Sequence, residues 1–466
     1  VTLLSNNNVT VTGQYLIYKY RLPSTNSAKP GNIEIFSSTT ANSAAGDNGR
    51  YAPAYNEGAW KVVIVDLSEK PTFTPNEKGK YMAKFVYADN AATTPVAPEV
   101  IREMQPYFEE CWGNPSSIYR KGLEAKRAIN GARERIANIL GCTAKEIFFT
   151  SCGSESDNWA IKGAVAFSKK KHIITTKIEH PAVLQTVAKL EKQGYRVTRL
   201  DVDEYGVVRL DQLEAALDED TALVAIMAAN NEIGTLQPIA EAARLAHKAG
   251  ALMFTDAVQA MGAMPLKVDE LGVDLLSFSG HKLNAPKGIG GLYVRRGVRI
   301  DRFVDGGGQE SGRRGGTENV PYIMALAKAM ELSQEKMADN ARLVTLRDRL
   351  IAELTKIPYS RLNGHPTERL PGNVNITFQY IEGEGMLLLL DQAGICVSTG
   401  SACSSASLEP SHVLVACGVP IEDAHGSLRI SLGHQNTAED VEYIIETLPG
   451  IVQRLRDMSP IYPGNE

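Results

Sequence analysis

From residue 146 onward, short apolar runs alternate with stretches in which apolar residues recur every three or four positions. The runs at 147–150, 172–176, 195–200, 222–227, 252–254 and 273–278 read as strands bounded by turn residues. Between them, 154–167, 182–192, 210–217 and 239–249 carry helical periodicity, the last closed by Gly250. A further run, 290–294, follows the last of these strands. Strands alternating with helices predict an α/β fold with a mostly parallel central sheet. Upstream, 87–95 is extended and ends at Pro95, 98–111 is an amphipathic helix and 113–117 is a turn-rich loop. A helix over 123–140 places Arg127, Arg133 and Arg135 on solvated positions. Downstream, helical stretches from 320 to 357 lead into a smaller α+β C-terminal part.

Residues 1–81 differ in kind. Asn, Ser, Thr and Gly dominate, as in Ser37-Ser38-Thr39-Thr40-Ala41-Asn42-Ser43, and the runs 15–18 and 60–65 read as strands. A small β-rich module of unknown role is expected there. It shows no charged n-region and no apolar h-region, so no signal peptide is expected. Met82 reads as a plausible original start, which makes 1–81 an appended piece. An integral N-terminal domain is the alternative.

Composition narrows the class without naming a function. The 466 residues suffice for two or three domains, and 43% apolar with 22% charged residues is ordinary for a globular protein. A net charge of -5 points to no nucleic acid and no anionic membrane as a partner. No run approaches the roughly 18 apolar residues of a spanning helix; 386–390 is the longest in the C-terminal part. The six cysteines, at 111, 142, 152, 396, 403 and 417, form no Cys-x-x-Cys pair, so no metal site is expected. Scattered cysteines in a chain this long fit a reducing compartment, here the cytoplasm.

The chemistry gathers where strands end. In α/β folds, ligands bind at the carboxyl ends of strands. The strand at 273–278 runs into Ser279-Gly280-His281-Lys282, which places a lysine at that edge, where partial desolvation makes an amine nucleophilic toward carbonyls. A solvated loop lysine is the plainer alternative. Cys152-Gly153-Ser154 joins a strand to a helix; it can seat a phosphate or simply cap the helix. Glu179-His180 follows the strand at 172–176, and such a histidine can stack on a flat ring and shuttle protons, or merely pack in a loop. Asn230-Asn231 follows the strand at 222–227 and can donate to an oxyanion or form a turn. Asp256 follows 252–254 and can pair with a protonated pyridine nitrogen or cap the next segment. Taken singly, each is weak. Together, a phosphate seat, a stacking histidine, a pyridinium partner and a Schiff-base lysine are what pyridoxal 5′-phosphate requires.

At this point a resemblance covers about four-fifths of the chain. Its segments are 87–94 (Tyr-Ala-Asp-Asn-Ala-Ala-Thr-Thr), 113–117 (Gly-Asn-Pro-Ser-Ser), 230–234 (Asn-Asn-Glu-Ile-Gly) and 277–282 (Ser-Phe-Ser-Gly-His-Lys). To these add 314–319 (Arg-Gly-Gly-Thr-Glu-Asn) and 398–404 (Ser-Thr-Gly-Ser-Ala-Cys-Ser). With them the chain resembles the NifS/IscS-like cysteine desulfurases of the class V aminotransferase superfamily. The resemblance implies a fold-type I pyridoxal phosphate-dependent transferase, with a large cofactor-binding domain over 96–335 and a small domain from 82–95 and 336–466.

Carried onto matching positions, the resemblance makes Lys282 the Schiff-base lysine, Asp256 the partner of the pyridine nitrogen, Gln259 that of the phenolic oxygen and His180 the stacking group. Gly153, Ser154, Ser279 and His281 hold the phosphate, with Thr317 reaching in from the second subunit of a homodimer. Asn231 and Arg429 hold the substrate carboxylate, for which a bidentate arginine is suited. Cys403, in a Ser/Gly/Ala-rich run expected to be a mobile loop, takes sulfur from L-cysteine as a persulfide and leaves L-alanine. An iron-sulfur scaffold or another acceptor protein then receives the sulfur. One departure stands out: Cys152-Gly153-Ser154 replaces the family's usual Gly-Ala-Thr. Serine keeps a hydroxyl donor, and Cys152 is expected to be passive. A selenocysteine lyase, another class V enzyme or a non-catalytic binding protein are the rival functions.

Overall fold

The computed structural model describes residues 84–399 and 410–465 and, within the first 83 residues, the backbone of three strands. The chain forms two units, Val1–Ala83 and Lys84–Glu466. In the first, β1 (Tyr15–Arg21) pairs antiparallel with β2 (Ile33–Ser38) and with β3 (Trp60–Asp66). The runs at 15–18 and 60–65 lie in β1 and β3, and the residues of 1–83 outside these three strands lie outside the described ones.

The second unit opens with β4 (Val86–Tyr87) and is dominated by a seven-stranded sheet. Its strands are β5 (Ile147–Thr150), β6 (His172–Thr176), β7 (Arg196–Leu200), β8 (Thr221–Ala225), β9 (Leu252–Asp256), β10 (Leu275–Ser279) and β11 (Gly290–Val294), in the order β5-β11-β10-β9-β8-β6-β7. β6 to β10 pair in parallel, and β11 runs antiparallel between β10 and β5. The carboxyl ends of β5, β6, β8, β9 and β10 therefore share one edge.

Successive side chains of a strand point to opposite faces. Phe149, Ile174, Val224, Met253 and Leu276 enter one core, roofed by helices Arg120–Leu140, Ile239–Lys248 and Val320–Lys336. Phe148, Ile173, Leu223, Phe254 and Leu275 enter the other, under helices Gly153–Phe167 and Pro181–Glu191. Burial on both faces is why these strands read as continuous apolar runs. Gly141 ends the first helix with φ 74°, a left-handed cap that needs no Cβ.

The C-terminal part builds a second core on a three-stranded antiparallel sheet, β12 (Ser360–Leu362), β13 (Asn373–Phe378) and β15 (Ser427–Ser431). Helices Asn340–Leu354, Gly383–Gln392 and Ala438–Asp457 cover it with Leu350, Leu390 and Leu448. β14 (Ile395–Cys396) pairs in parallel with β4, which buries Val86 and Ala88 in this core rather than in that of the large sheet. Among the described residues no helix is long and apolar enough to cross a membrane.

The helical stretches expected from 320 to 357 are Val320–Lys336 and Asn340–Leu354. Two local expectations are corrected. The helix over 98–111 is two, Pro98–Met104 and Pro106–Glu109, because Pro106 cannot donate to the preceding turn. Arg133 and Arg135 are not freely solvated. Arg133 pairs with the buried Glu310 at 2.7 Å, and Arg135 with Glu103 and Glu331 at 2.7 and 2.6 Å. Their long stems lie along protein surface while the heads find carboxylates.

Antiparallel β11 fits beside β10 because Gly291 stands opposite Phe278; a Cβ there would lie 2.2 Å from the Phe278 ring. Gly291→Ala is expected to displace that ring and cost about 1–3 kcal/mol, read as a lowered urea midpoint at unchanged slope.

Candidate active site

β10 stops at Ser279, and the 3-10 turn Gly280–Lys282 carries the lysine past the sheet edge. The Lys282 Nζ donates to the carbonyl oxygens of Ala91 and Ala92, at 2.5 and 2.7 Å. Those carbonyls lie in a turn over 90–92, where Asp89 O accepts from Ala92 N at 3.0 Å, so the segment 87–95 is not extended throughout as expected; the turn is held from the small sheet. Ala91 N donates to Ser431 Oγ at 2.9 Å and Asn90 Nδ2 to Ser431 O at 2.8 Å. Gln259 Nε2 donates to the same Ala91 carbonyl at 3.0 Å.

Below the lysine lies a cavity of about 390 Å³ that gathers residues from five strand ends. Asp256 closes β9 at 6% exposure, its Oδ1 accepting from Val258 N at 2.9 Å. His180 caps helix Pro181–Glu191, its Nδ1 accepting from Ala182 N at 3.1 Å. That contact assigns the remaining ring proton of the neutral imidazole to Nε2. Burial holds the His180 ring below its ordinary value, so the neutral form is favoured, although the Asp256 charge pulls the other way. Burial likewise raises Asp256, while His180, the Val258 N–H and Lys282 act to keep it ionised.

One end of the cavity suits a phosphate. Gly153 and Ser154 begin helix Gly153–Phe167, whose first N–H groups have no partner within the helix. A Cβ on Gly153 would lie 2.8 Å from Val258 Cγ2, so the backbone comes close only because the residue is glycine. Ser279 and His281 line the same cavity. Burial, together with the Lys282 and Lys287 charges, pushes the His281 imidazole down to about 4, leaving it neutral and able to donate one N–H.

The other end suits a carboxylate. Arg429, in β15 and 2% exposed, donates to Asn231 O at 3.0 Å and to Asp89 Oδ1 at 2.9 Å. Its Nε is buried with no hydrogen-bond partner among the described residues. A buried guanidinium donor without an acceptor is costly, and a bound carboxylate would satisfy it. Asn231 lines the cavity beside it.

Lys282, His180, Asp256, Gln259, Gly153, Ser154, Ser279, His281, Asn231 and Arg429 thus surround one cavity. One further described residue does not. Thr317 is exposed and lines a separate hollow with Thr150, Glu310 and Arg314. Cys403 lies outside the described residues, as does most of the run expected to be a mobile loop. Cys152 lines the cavity beside Gly153. Sequence reading passed over Asp157, buried at 1% on the same helix, and the Asp89 that pairs with Arg429. An acidic residue on the buried face of the 154–167 helix, next to Ser156 and Trp159, was the available signal for Asp157.

The residues present fit pyridoxal 5′-phosphate. An amine, a carboxylate, an imidazole and a helix N-terminus stand around one cavity, and the unsatisfied Arg429 donor leaves room for a substrate carboxylate.

Comparison with known proteins agrees. The family described as aminotransferase class-V matches residues 86–444. The chain is 58% identical over 384 residues to a cysteine desulfurase IscS of Methanosarcina thermophila, covering 82% of this chain and 95% of that one. A cysteine desulfurase IscS of Clostridium botulinum (strain Hall) is 52% identical over 387 residues, covering 82% of this chain and 98% of that one. Among solved structures, a NifS-like protein superposes with a TM-score of 0.76 at 42% identity, covering 80% of this chain and 100% of that one.

Two buried carboxyls near the cavity should shape the stability profile. Burial pushes Glu179 from 4.5 to about 8 and Glu232 from 4.5 to about 7. The folded chain then holds protons that the unfolded chain has released, so stability falls as pH rises from about 4.5 toward 8. Glu179→Gln is expected to flatten that fall by up to ~1.4 kcal/mol per pH unit, measured as denaturation midpoints across the range.

Proposed function

The chain belongs to the aminotransferase class-V family and is a pyridoxal phosphate-dependent cysteine desulfurase, and from that premise we propose the roles of its cavity residues and the fate of the sulfur. Lys282 is the amine that holds the cofactor aldehyde. Asp256 faces the pyridine nitrogen, Gln259 the phenolic oxygen, and His180 stacks on the ring. Gly153, Ser154, Ser279 and His281 hold the phosphate. The observation that carries this assignment is the convergence of Lys282, Asp256, His180 and Arg429, from separate strands, on one cavity.

Pyridoxal phosphate, when bound, supplies an electron sink for the bond between the substrate's Cα and its hydrogen. The chain's own residues do the rest. Arg429 and Asn231 bind the carboxylate of L-cysteine, which gives the Arg429 Nε its missing acceptor. With the cofactor bound, Lys282 would be the base that takes the Cα proton and the acid that gives one back. His180, neutral and carrying its proton on Nε2, exchanges a proton with the substrate sulfur. The Cys403 thiolate attacks that sulfur: one S–S bond forms, the Cβ–S bond breaks with its electron pair left on Cβ, Cβ takes up one proton in place of the one the substrate thiol gave up, and the products are L-alanine and a persulfide on Cys403.

The same reading extends to assembly. The enzyme works as a homodimer in the cytoplasm and passes its sulfur to an iron-sulfur scaffold or another acceptor protein. The exposure of Thr317 outside its own chain's cavity supports a role across a subunit boundary, reaching the partner's phosphate. Residues 96–335 form the cofactor-binding domain, 82–95 with 336–466 the small domain, and 1–81 an appended module.

Incubation with L-cysteine is expected to yield L-alanine and protein-bound sulfane sulfur in equal amounts before any reductant is added. Cys403→Ala is expected to keep the visible absorbance of the holoenzyme and lose sulfide release with dithiothreitol; retained turnover removes Cys403 from the mechanism. Lys282→Ala is expected to abolish the visible band of the covalently held cofactor at neutral pH, and an unchanged spectrum rules the lysine out.

A further inference from the structure

The same cavity is lined by a buried carboxyl group with no part in the roles above, that of Asp157. Asp157 lies on helix Gly153–Phe167, which packs across β8, β9 and β10. It is 1% exposed, and its Oδ1 accepts from Ser277 Oγ at 2.5 Å. Ser277 is the register partner of Asp256 on the neighbouring strand, so the two acids meet across one strand pair. One ligand atom each from Asp157, His180 and Asp256 lie within 4.8 Å of one another.

Two carboxylates this close, both out of water, cannot both stay ionised. Their surroundings decide which keeps the proton. Asp256 is faced by Lys282, by His180 and by the Val258 N–H, all of which favour its anion. Asp157 is faced by Asp256, Glu179 and Cys152, with a neutral hydroxyl as its described hydrogen-bond donor. Burial and those neighbours hold Asp157 well above the usual carboxylate range.

We propose that Asp157 is a positioning residue: a neutral carboxylic acid behind Asp256 that confines the pair to a single negative charge, matched to one protonated ring nitrogen. This rests on the reading of Asp256 as the partner of that nitrogen. Asp157 sets the charge of the group that faces the cofactor, and Ser277 orients Asp157 from β10, the strand beside that of Asp256.

Infrared difference spectroscopy of the holoenzyme tests this. Wild type minus Asp157→Asn at neutral pH is expected to show loss of one carboxylic-acid carbonyl band that shifts in heavy water. Loss of a carboxylate band instead, or no carboxylic-acid band at all, overturns the proposal. If Asp157→Asn does not fold, Ser277→Ala serves: removing the hydroxyl is expected to move the same carbonyl band to higher frequency, and an unmoved band overturns the proposal. Because the amide is also neutral, Asp157→Asn should keep its cofactor dissociation constant within about threefold of wild type, whereas a tenfold rise counts against the idea. Asp256→Ala separates the two claims. Its undiminished cofactor affinity would sink the role given to Asp256, while the Asp157 band is scored on its own.

Discussion

The contact between the Lys282 amine and the carbonyl oxygens of Ala91 and Ala92 ties together parts of the chain that are far apart in sequence. The lysine comes from the end of the large sheet. The carbonyls come from a turn after β4 whose anchors, Ser431 and the β14 partner of β4, belong to the C-terminal part. The two backbone carbonyls accept hydrogen bonds from the amine while carrying no full charge themselves.

The cavity also poses a charge problem, which the fold meets by proton retention and pairing. Arg429 is nearly fully buried and ion-paired with Asp89 at 2.9 Å. Asp256, Asp157, Glu179 and Glu232 are buried within the same region, and burial raises all four. Uncompensated charge in such a place is expensive. Proton retention on some carboxyls and pairing of others keep the net buried charge small. A cofactor and a substrate bearing a phosphate, a pyridinium and a carboxylate complete that balance.

Much of this was legible in the chain. The alternation of apolar runs with helical periods predicted the α/β class, since a parallel sheet buried on both faces makes Phe148 and Phe149, or Leu275 and Leu276, apolar together. The strand ends that carry Gly153, His180, Asn231, Asp256 and Lys282 were legible for the same reason: each lies just past such a run. Asp157 was hidden inside a helix that otherwise reads as amphipathic, and Asp89 inside a segment with no periodicity. Their importance comes from what stands across from them, Asp256 in one case and Arg429 in the other. Arg133 and Arg135 misled for the converse reason, since the acids that bind them lie 32 to 196 residues away.

What the sequence determined by itself was local: which segments extend, which coil, and which chemical groups stand at their ends. Backbone geometry, side-chain period and capping act over a few residues, and those are visible in one dimension. What only the tertiary structure decided was adjacency. The strand order β5-β11-β10-β9-β8-β6-β7 brings together ends that lie more than a hundred residues apart, and it places Arg429 of the small sheet beside Asn231 of the large one. That choice rests on burying two cores at once. Burying apolar area is non-directional and is summed over the whole chain, so no single stretch of sequence records it.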